Sequence, residues 1–178
     1  MKKIFQSLGL LNVFNSKTTC NLETCKSLLL NLNQEEWRLS LPTKPKLRQY
    51  ILFKNKYEIN PYVKSVRNKY ERSLIAKLRC GILQLNIETG RFCQTPLPNR
   101  LCTICDLNLI EDEIHFICVC PAYNDERIHF YNKISNDDPH FRHKNLECKF
   151  RLIMEKAGDQ LAKYINVIWN KISLLLYD

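Results

Sequence analysis

C-T-I-C-D-L-N-L-I-E-D-E-I-H-F-I-C-V-C, residues 102–120, sets Cys102 and Cys105 two residues apart, His115 after nine more, and Cys120 after a further four. Three thiolates and one imidazole at this spacing suit a tetrahedral Zn²⁺ ion and fill its shell, so no position stays open for a substrate water. The expected role of such a site is structural, its chemistry being that of folding. Cys118 competes with Cys120, because on a helix it lies three residues from His115 and faces the same way. Pro121 favours Cys120: it ends the helix there and leaves Cys120 on a turn free to bend toward the knuckle. Glu111, Asp112 and Glu113 suit a first helical turn, where acids meet the positive end of the helix dipole. His115 is then expected early on a short helix facing the two knuckle cysteines.

Outward from this motif, the 178-residue chain is long enough for one domain with a sizeable core. Four glycines and no alternating strand-like run point to a mainly α, helical single domain with a small Cys3His zinc-knuckle lobe. The expected division is a basic helical region over 1–100, the knuckle lobe with its following helix over 101–136, and a C-terminal helical pair over 137–178. Asn60-Pro61 reads as a helix start and Gly81 as its stop. Between them Val63, Val66, Tyr70, Leu74 and Leu78 would face the core, and Lys64, Lys69, Arg72 and Arg79 the solvent. A shorter helix is expected over 45–53, with Leu47, Tyr50 and Ile51 inward, and a loop over 82–101. Further helices are expected over 124–135, capped by Asn124, and over 145–157 and 159–177, separated by Gly158. The last carries Leu161, Ile165, Ile168, Ile172 and Leu175 on one stripe, with Trp169 and Leu176 beside it.

The 27 basic and 18 acidic residues give a net charge of +9. Residues 44–100 hold 13 of the Lys and Arg against 3 Asp and Glu, so the middle third carries the whole surplus. A localised basic segment is the electrostatic footprint of a polyanion partner, most often nucleic acid. Its expected phosphate contacts are Lys44, Lys46, Arg48, Arg72, Lys77, Arg79, Arg91 and Arg100, with Tyr70 or Phe92 available to stack on bases. Taken singly, each basic residue reads as an ordinary solvated side chain; the reading rests on their sum.

Nine cysteines are an odd number in a long chain, which favours reduced thiols over a disulfide scaffold. The apolar start at 4–14 is interrupted by Gln6, Ser7 and Asn12 and is too short to span a bilayer. The expectation is a soluble, intracellular protein of nucleus or cytoplasm with no membrane partner. Spare thiols at Cys80, Cys93 and Cys148 and histidines at 129, 140 and 143 lie in no enzyme signature, so no catalytic activity is expected.

P-K-L-R-Q-Y-I-L-F-K at 45–54, R-S-L-I-A-K-L-R-C-G at 72–81, I-E-T-G-R-F at 87–92, R-L-C-T-I-C at 100–105 and E-D-E-I-H-F-I-C-V-C-P-A-Y-N-D-E-R at 111–127 occur in this order. Together they resemble the region that follows the reverse transcriptase domain in non-LTR (LINE-type) retrotransposon polyproteins. The resemblance covers about half of the chain, from Trp37 to Arg127. It implies a zinc-binding segment that helps hold template RNA or target DNA, with Cys102, Cys105, His115 and Cys120 as ligands. No aromatic-x-Asp-Asp motif is present, the Asp137-Asp138 pair being preceded by Ser135-Asn136, and no restriction-like nuclease pattern of acids and lysine occurs. The resemblance therefore implies an accessory module: a nucleic-acid binder, or alternatively a protein-interaction scaffold docking through the C-terminal helix.

Overall fold

The computed structural model describes residues 9–16, 21–156 and 158–177 together with Lys3 and Gln6; the side chains of 13, 14, 16 and 173–177 lie outside the description. Most of the apolar start, and Leu175 and Leu176 of the C-terminal stripe, therefore fall outside it. The fold is mainly α, as the composition implies. Among the described residues there is no strand, and a single antiparallel bridge joins Leu101 to Ile110. No described helix is long and apolar enough to cross a membrane.

Two compact units divide the chain between Lys44 and Pro45. The first contains α1 (Leu11–Ser16) and α2 (Leu22–Ser40). Asn21 caps α2, its side-chain oxygen accepting from the Glu23 amide at 2.8 Å. Glu23–Lys26 and Glu35–Arg38 pairs one turn apart line its exposed surface.

The second unit holds seven helices among its described residues. They are α3 (Tyr50–Phe53), α4 (Tyr62–Ser65), α5 (Lys69–Arg79), α6 (Asn86–Phe92), α7 (Asn124–Asp137), α8 (Leu146–Lys156) and α9 (Gly158–Tyr177). The stripe on α9 is core: Leu161, Ile165, Ile168 and Ile172 are buried, and the helix packs along α5, α7 and α8. Tyr164 stacks on Phe130 at 4.4 Å between ring centroids and donates its hydroxyl to the Ile117 carbonyl at 3.0 Å. Trp169 meets the edge of Phe116. With Ile168 enclosed and Trp169 half-buried, the described part of this stripe is occupied by the protein's own core.

The helix expected from Asn60 to Gly81 is broken. Asn68 turns its side chain back to accept from the amides of Tyr70 and Glu71, so it starts α5 afresh instead of continuing α4. Arg72 donates to the Val66 carbonyl freed by the break. The new phase puts Leu74, Ile75 and Leu78 inside, while Val63 and Tyr70 face solvent. It also turns Arg79 inward, against the expected basic outer face. Gly81 does stop α5: at φ +63° it lets Ile82 donate to the Lys77 carbonyl and Gly81 to that of Leu78, which closes the helix end.

Other boundaries shift for local reasons. Pro45–Leu47 is a 3-10 turn and α3 begins only at Tyr50, so Phe53 is buried and Ile51 exposed. The expected loop over 82–101 contains α6, whose Gly90 lies directly beneath the Arg100 side chain. A Cβ there would sit 2.7 Å from Arg100 Cγ, so the glycine marks a close approach and not a flexible connection. Asn124 is the first residue of α7, not its cap. Gly158 opens α9 close to Tyr62 and Ser65 of α4.

Candidate metal centre

The first two candidate ligands sit on a tight reversal. Cys102 donates its amide to the Leu109 carbonyl at 2.9 Å and Glu111 donates to that of Arg100 at 3.0 Å, closing the loop between them. Asn108 takes φ +51° within it, a conformation that Asn tolerates better than most residues. The other two flank a single π turn, His115–Val119, in which the Cys120 amide reaches the His115 carbonyl at 2.8 Å. Asp112 caps this turn by accepting from the His115 amide at 2.8 Å. Pro121 then forces the chain out, so Cys120 leaves the helical path with ψ 120° and turns its thiol toward the knuckle.

The result brings one ligand atom from each of Cys102, Cys105, His115 and Cys120 within 4.8 Å of every other, a group able to hold a metal ion. Cys102 Sγ lies 4.0 Å from Cys120 Sγ, and Cys105 Sγ lies 3.5 Å from His115 Nε2. Cys102, His115 and Cys120 are buried and Cys105 half-buried. The extra residue of the π turn takes Cys118 out of contention; the thiol of this half-buried residue faces the Tyr131 hydroxyl, and burial pushes it up to about 11.

Burial also raises the Cys102 thiol and pushes that of Cys120 up to about 12, although the backbone at Ile104 and Cys105, and at Ala122, favours the thiolates. Burial lowers the pKa of His115, favouring the neutral ring that a metal ligand requires. Without metal the Cys102 and Cys120 thiols are protonated at neutral pH, whereas a bound ion requires thiolates. Metal loading is therefore expected to expel about two protons or more, and affinity to climb with rising pH and fall in acid. Calorimetric titrations in buffers of different protonation enthalpy measure this; a release below one proton per ion would remove these cysteines from the ligand set.

Acids and bases that the sequence marks for other roles, Glu111 and Glu113 as helix-start acids and Arg48 as a phosphate contact, hold this arrangement together. Glu113 is buried and accepts from Arg48 Nη2 at 2.8 Å through both oxygens, bolting the start of the π turn to the 45–49 segment. Burial raises the Glu113 pKa, and the Arg48 charge opposes that rise. Glu111 accepts from the Asn86 amide at 2.8 Å and approaches Cys102 Sγ at 3.8 Å, docking α6 on the knuckle. Arg127 lies buried on the other side, donating to the Cys120 carbonyl at 2.7 Å, while its Nη1 has no partner.

The basic candidates separate into two groups. Arg48, Arg72, Arg79 and Arg100 hold protein acceptors: Glu113; the Val66 carbonyl; Asn60 and the Met154 carbonyl; and the Thr95 and Ile87 carbonyls respectively. Lys44, in the first unit, and Lys77 are exposed. Lys46 and Arg91 share Glu88, and Lys46 Nζ lies 5.6 Å from the ring centroid of Phe92, which is 76% exposed. No protein-family profile, no curated protein and no solved structure matches this chain.

Proposed function

We propose that the chain is a non-catalytic zinc module, descended from a retroelement, that binds nucleic acid through the basic surface of its middle third. The observation that carries the zinc reading is the convergence of three thiols and an imidazole into one buried group. Around a tetrahedral zinc with bonds of about 2.3 Å to sulfur and about 2.0 Å to nitrogen, sulfur–sulfur edges are about 3.8 Å and sulfur–nitrogen edges about 3.5 Å. The separations of 4.0 and 3.5 Å agree with those edges. Four protein donors saturate such an ion, so its role is to fasten the knuckle to the π turn. Three thiolates and a neutral imidazole leave the zinc group with one net negative charge, which the buried Arg127 guanidinium faces from the Cys120 carbonyl. The ordered sequence blocks at 45–127 support the retroelement descent.

For nucleic acid, support comes from the cluster of Lys46, Arg91 and the outstanding Phe92 ring, with Lys77 as a further exposed cation of the same unit. An exposed aromatic beside cations is the arrangement that stacks a base while neutralising its phosphate. Three such phosphate contacts on a single strand imply a roughly twenty-fold loss of affinity between about 50 and 200 mM salt. Phe92→Ala is expected to remove about 1–3 kcal/mol of stacking without altering zinc content. Titration of the zinc-loaded chain against labelled single-stranded RNA at two salt concentrations, with Phe92→Ala alongside, is the test. Undetectable binding to RNA and to duplex DNA would defeat the nucleic-acid reading and leave the protein-scaffold alternative.

A further inference from the structure

A cavity of about 300 Å³ that shares no lining with the Cys3His group is bounded by Phe53 at the end of α3, Lys54, Lys56, Glu58, Arg79 of α5 and Glu155 of α8. Two of its cations are almost wholly enclosed, Lys54 at 7% exposure and Arg79 at 4%. Neither has a carboxylate within ion-pair distance among the described residues. Lys54 donates to the Glu58 backbone carbonyl at 2.7 Å, which engages one of its three donors. Arg79 donates to the Met154 carbonyl and to Asn60 Oδ1, and its guanidinium sits 4.4 Å from the Phe53 ring centroid and 5.3 Å from that of Tyr62. Its Nε is buried with no acceptor.

Buried charges are ordinarily paired, because an enclosed ion that lacks a counter-charge gives up hydration for nothing in return. Here the carboxylates that line the cavity, Glu58 and Glu155, are both exposed, as is Lys56. Glu58 and Glu155 act on Lys54 and Arg79 respectively, but from the solvent side and beyond ion-pair distance, so they offset the charge of the two enclosed cations only in part. The rings against Arg79 and the carbonyl on Lys54 fix both cations before any ligand arrives, which lowers the ordering cost of binding.

We propose that this cavity is a binding site for a phosphate group, with Lys54 and Arg79 as its paired cations. Arginine and lysine together suit a tetrahedral oxyanion: Arg79 keeps N–H groups beyond those given to Met154 and Asn60, and Lys54 keeps two donors beyond the one given to Glu58. The volume exceeds a bare phosphate and admits the sugar of a nucleotide, so the phosphate comes either free or on a nucleotide or oligonucleotide end. Burial lowers the pKa of both Lys54 and Arg79, and a bound anion would relieve that penalty. The site shares no residue with the metal centre and does not depend on the exposed surface around Phe92.

The test is calorimetric titration of the zinc-loaded full chain at constant ionic strength, with chloride as background. The probes are inorganic phosphate, adenosine monophosphate, and one oligonucleotide with and without a 5′-phosphate. Saturable binding that falls at least tenfold in Lys54→Gln, and likewise in Lys54→Met, is the expected result. Melting curves in chloride check that both variants fold. Binding of inorganic phosphate supports the site and makes free phosphate sufficient, whereas binding confined to the nucleotide or the 5′-phosphorylated strand supports it with a carried phosphate as source. Absence of saturation with every phosphate probe, or equal binding by the Lys54 variants, overturns it. Binding of the unphosphorylated strand reports separately on the Phe92 surface.

Discussion

Cys120→Ala is expected to abolish stoichiometric zinc binding and the cooperative unfolding of the 45–178 unit, whereas Cys118→Ala keeps one zinc per chain. The two thiols are two residues apart and both pack on the core, Cys120 buried and Cys118 half-buried, so a purely hydrophobic role would make their losses similar. They differ in direction: Cys120 Sγ faces Cys102 Sγ at 4.0 Å, and Cys118 faces Tyr131. The free energy at stake in a structural zinc site is on the order of 10–16 kcal/mol, comparable with the whole stability of a domain. Loss of one of four ligands exposes that term, while Cys118→Ala is expected to cost only about 1 kcal/mol. Metal analysis together with thermal melts followed by near-ultraviolet circular dichroism separates the outcomes. Zinc retained in Cys120→Ala but lost in Cys118→Ala would reverse the ligand assignment.

Gly81→Ala is the second large effect, and it arises from tertiary contact as much as from backbone conformation. The positive φ by itself costs an L-residue about 1–2 kcal/mol. The added Cβ would also stand 2.1 Å from the Lys46 carbonyl oxygen, a backbone atom that cannot swing aside as a side chain can, and 3.3 Å from Glu113 Oε1. Overpacking of this kind adds about 1–3 kcal/mol. Moving the 45–49 segment to make room disturbs the Arg48–Glu113 pair that anchors the π turn. Chemical denaturation is therefore expected to show a loss of about 2–5 kcal/mol, with a lowered zinc affinity in competition titrations. A change below about 1 kcal/mol would mean that the close approach at Lys46 is not present in solution.

These expected effects fall at positions of unequal legibility. Gly81 as a helix stop, the described part of the stripe on α9 and the convergence of Cys102, Cys105, His115 and Cys120 were readable because each depends on neighbours within one or two helical turns or on one short spacing. The break before Asn68 was not, because Asn60-Pro61 and Asn68 are both competent helix starts. Only the burial of Val66 and the new phase of α5 select the second. The π turn was equally hidden, since one extra residue changes no composition yet separates the directions of Cys118 and Cys120.

Charge was the least legible quantity. A mainly helical chain, a Cys-x2-Cys-x9-His-x4-Cys motif able to hold a metal and a basic middle third follow from the order and composition of the residues, all of them local or additive properties. Tertiary structure alone decided what each cation does: Arg48 meets Glu113 across 65 residues, Arg79 reaches the Met154 carbonyl across 75, and Lys46 and Phe92 stand together at the surface. A charge is a property of one residue, but its partner is chosen by distance and dielectric, and both exist only after the helices have packed.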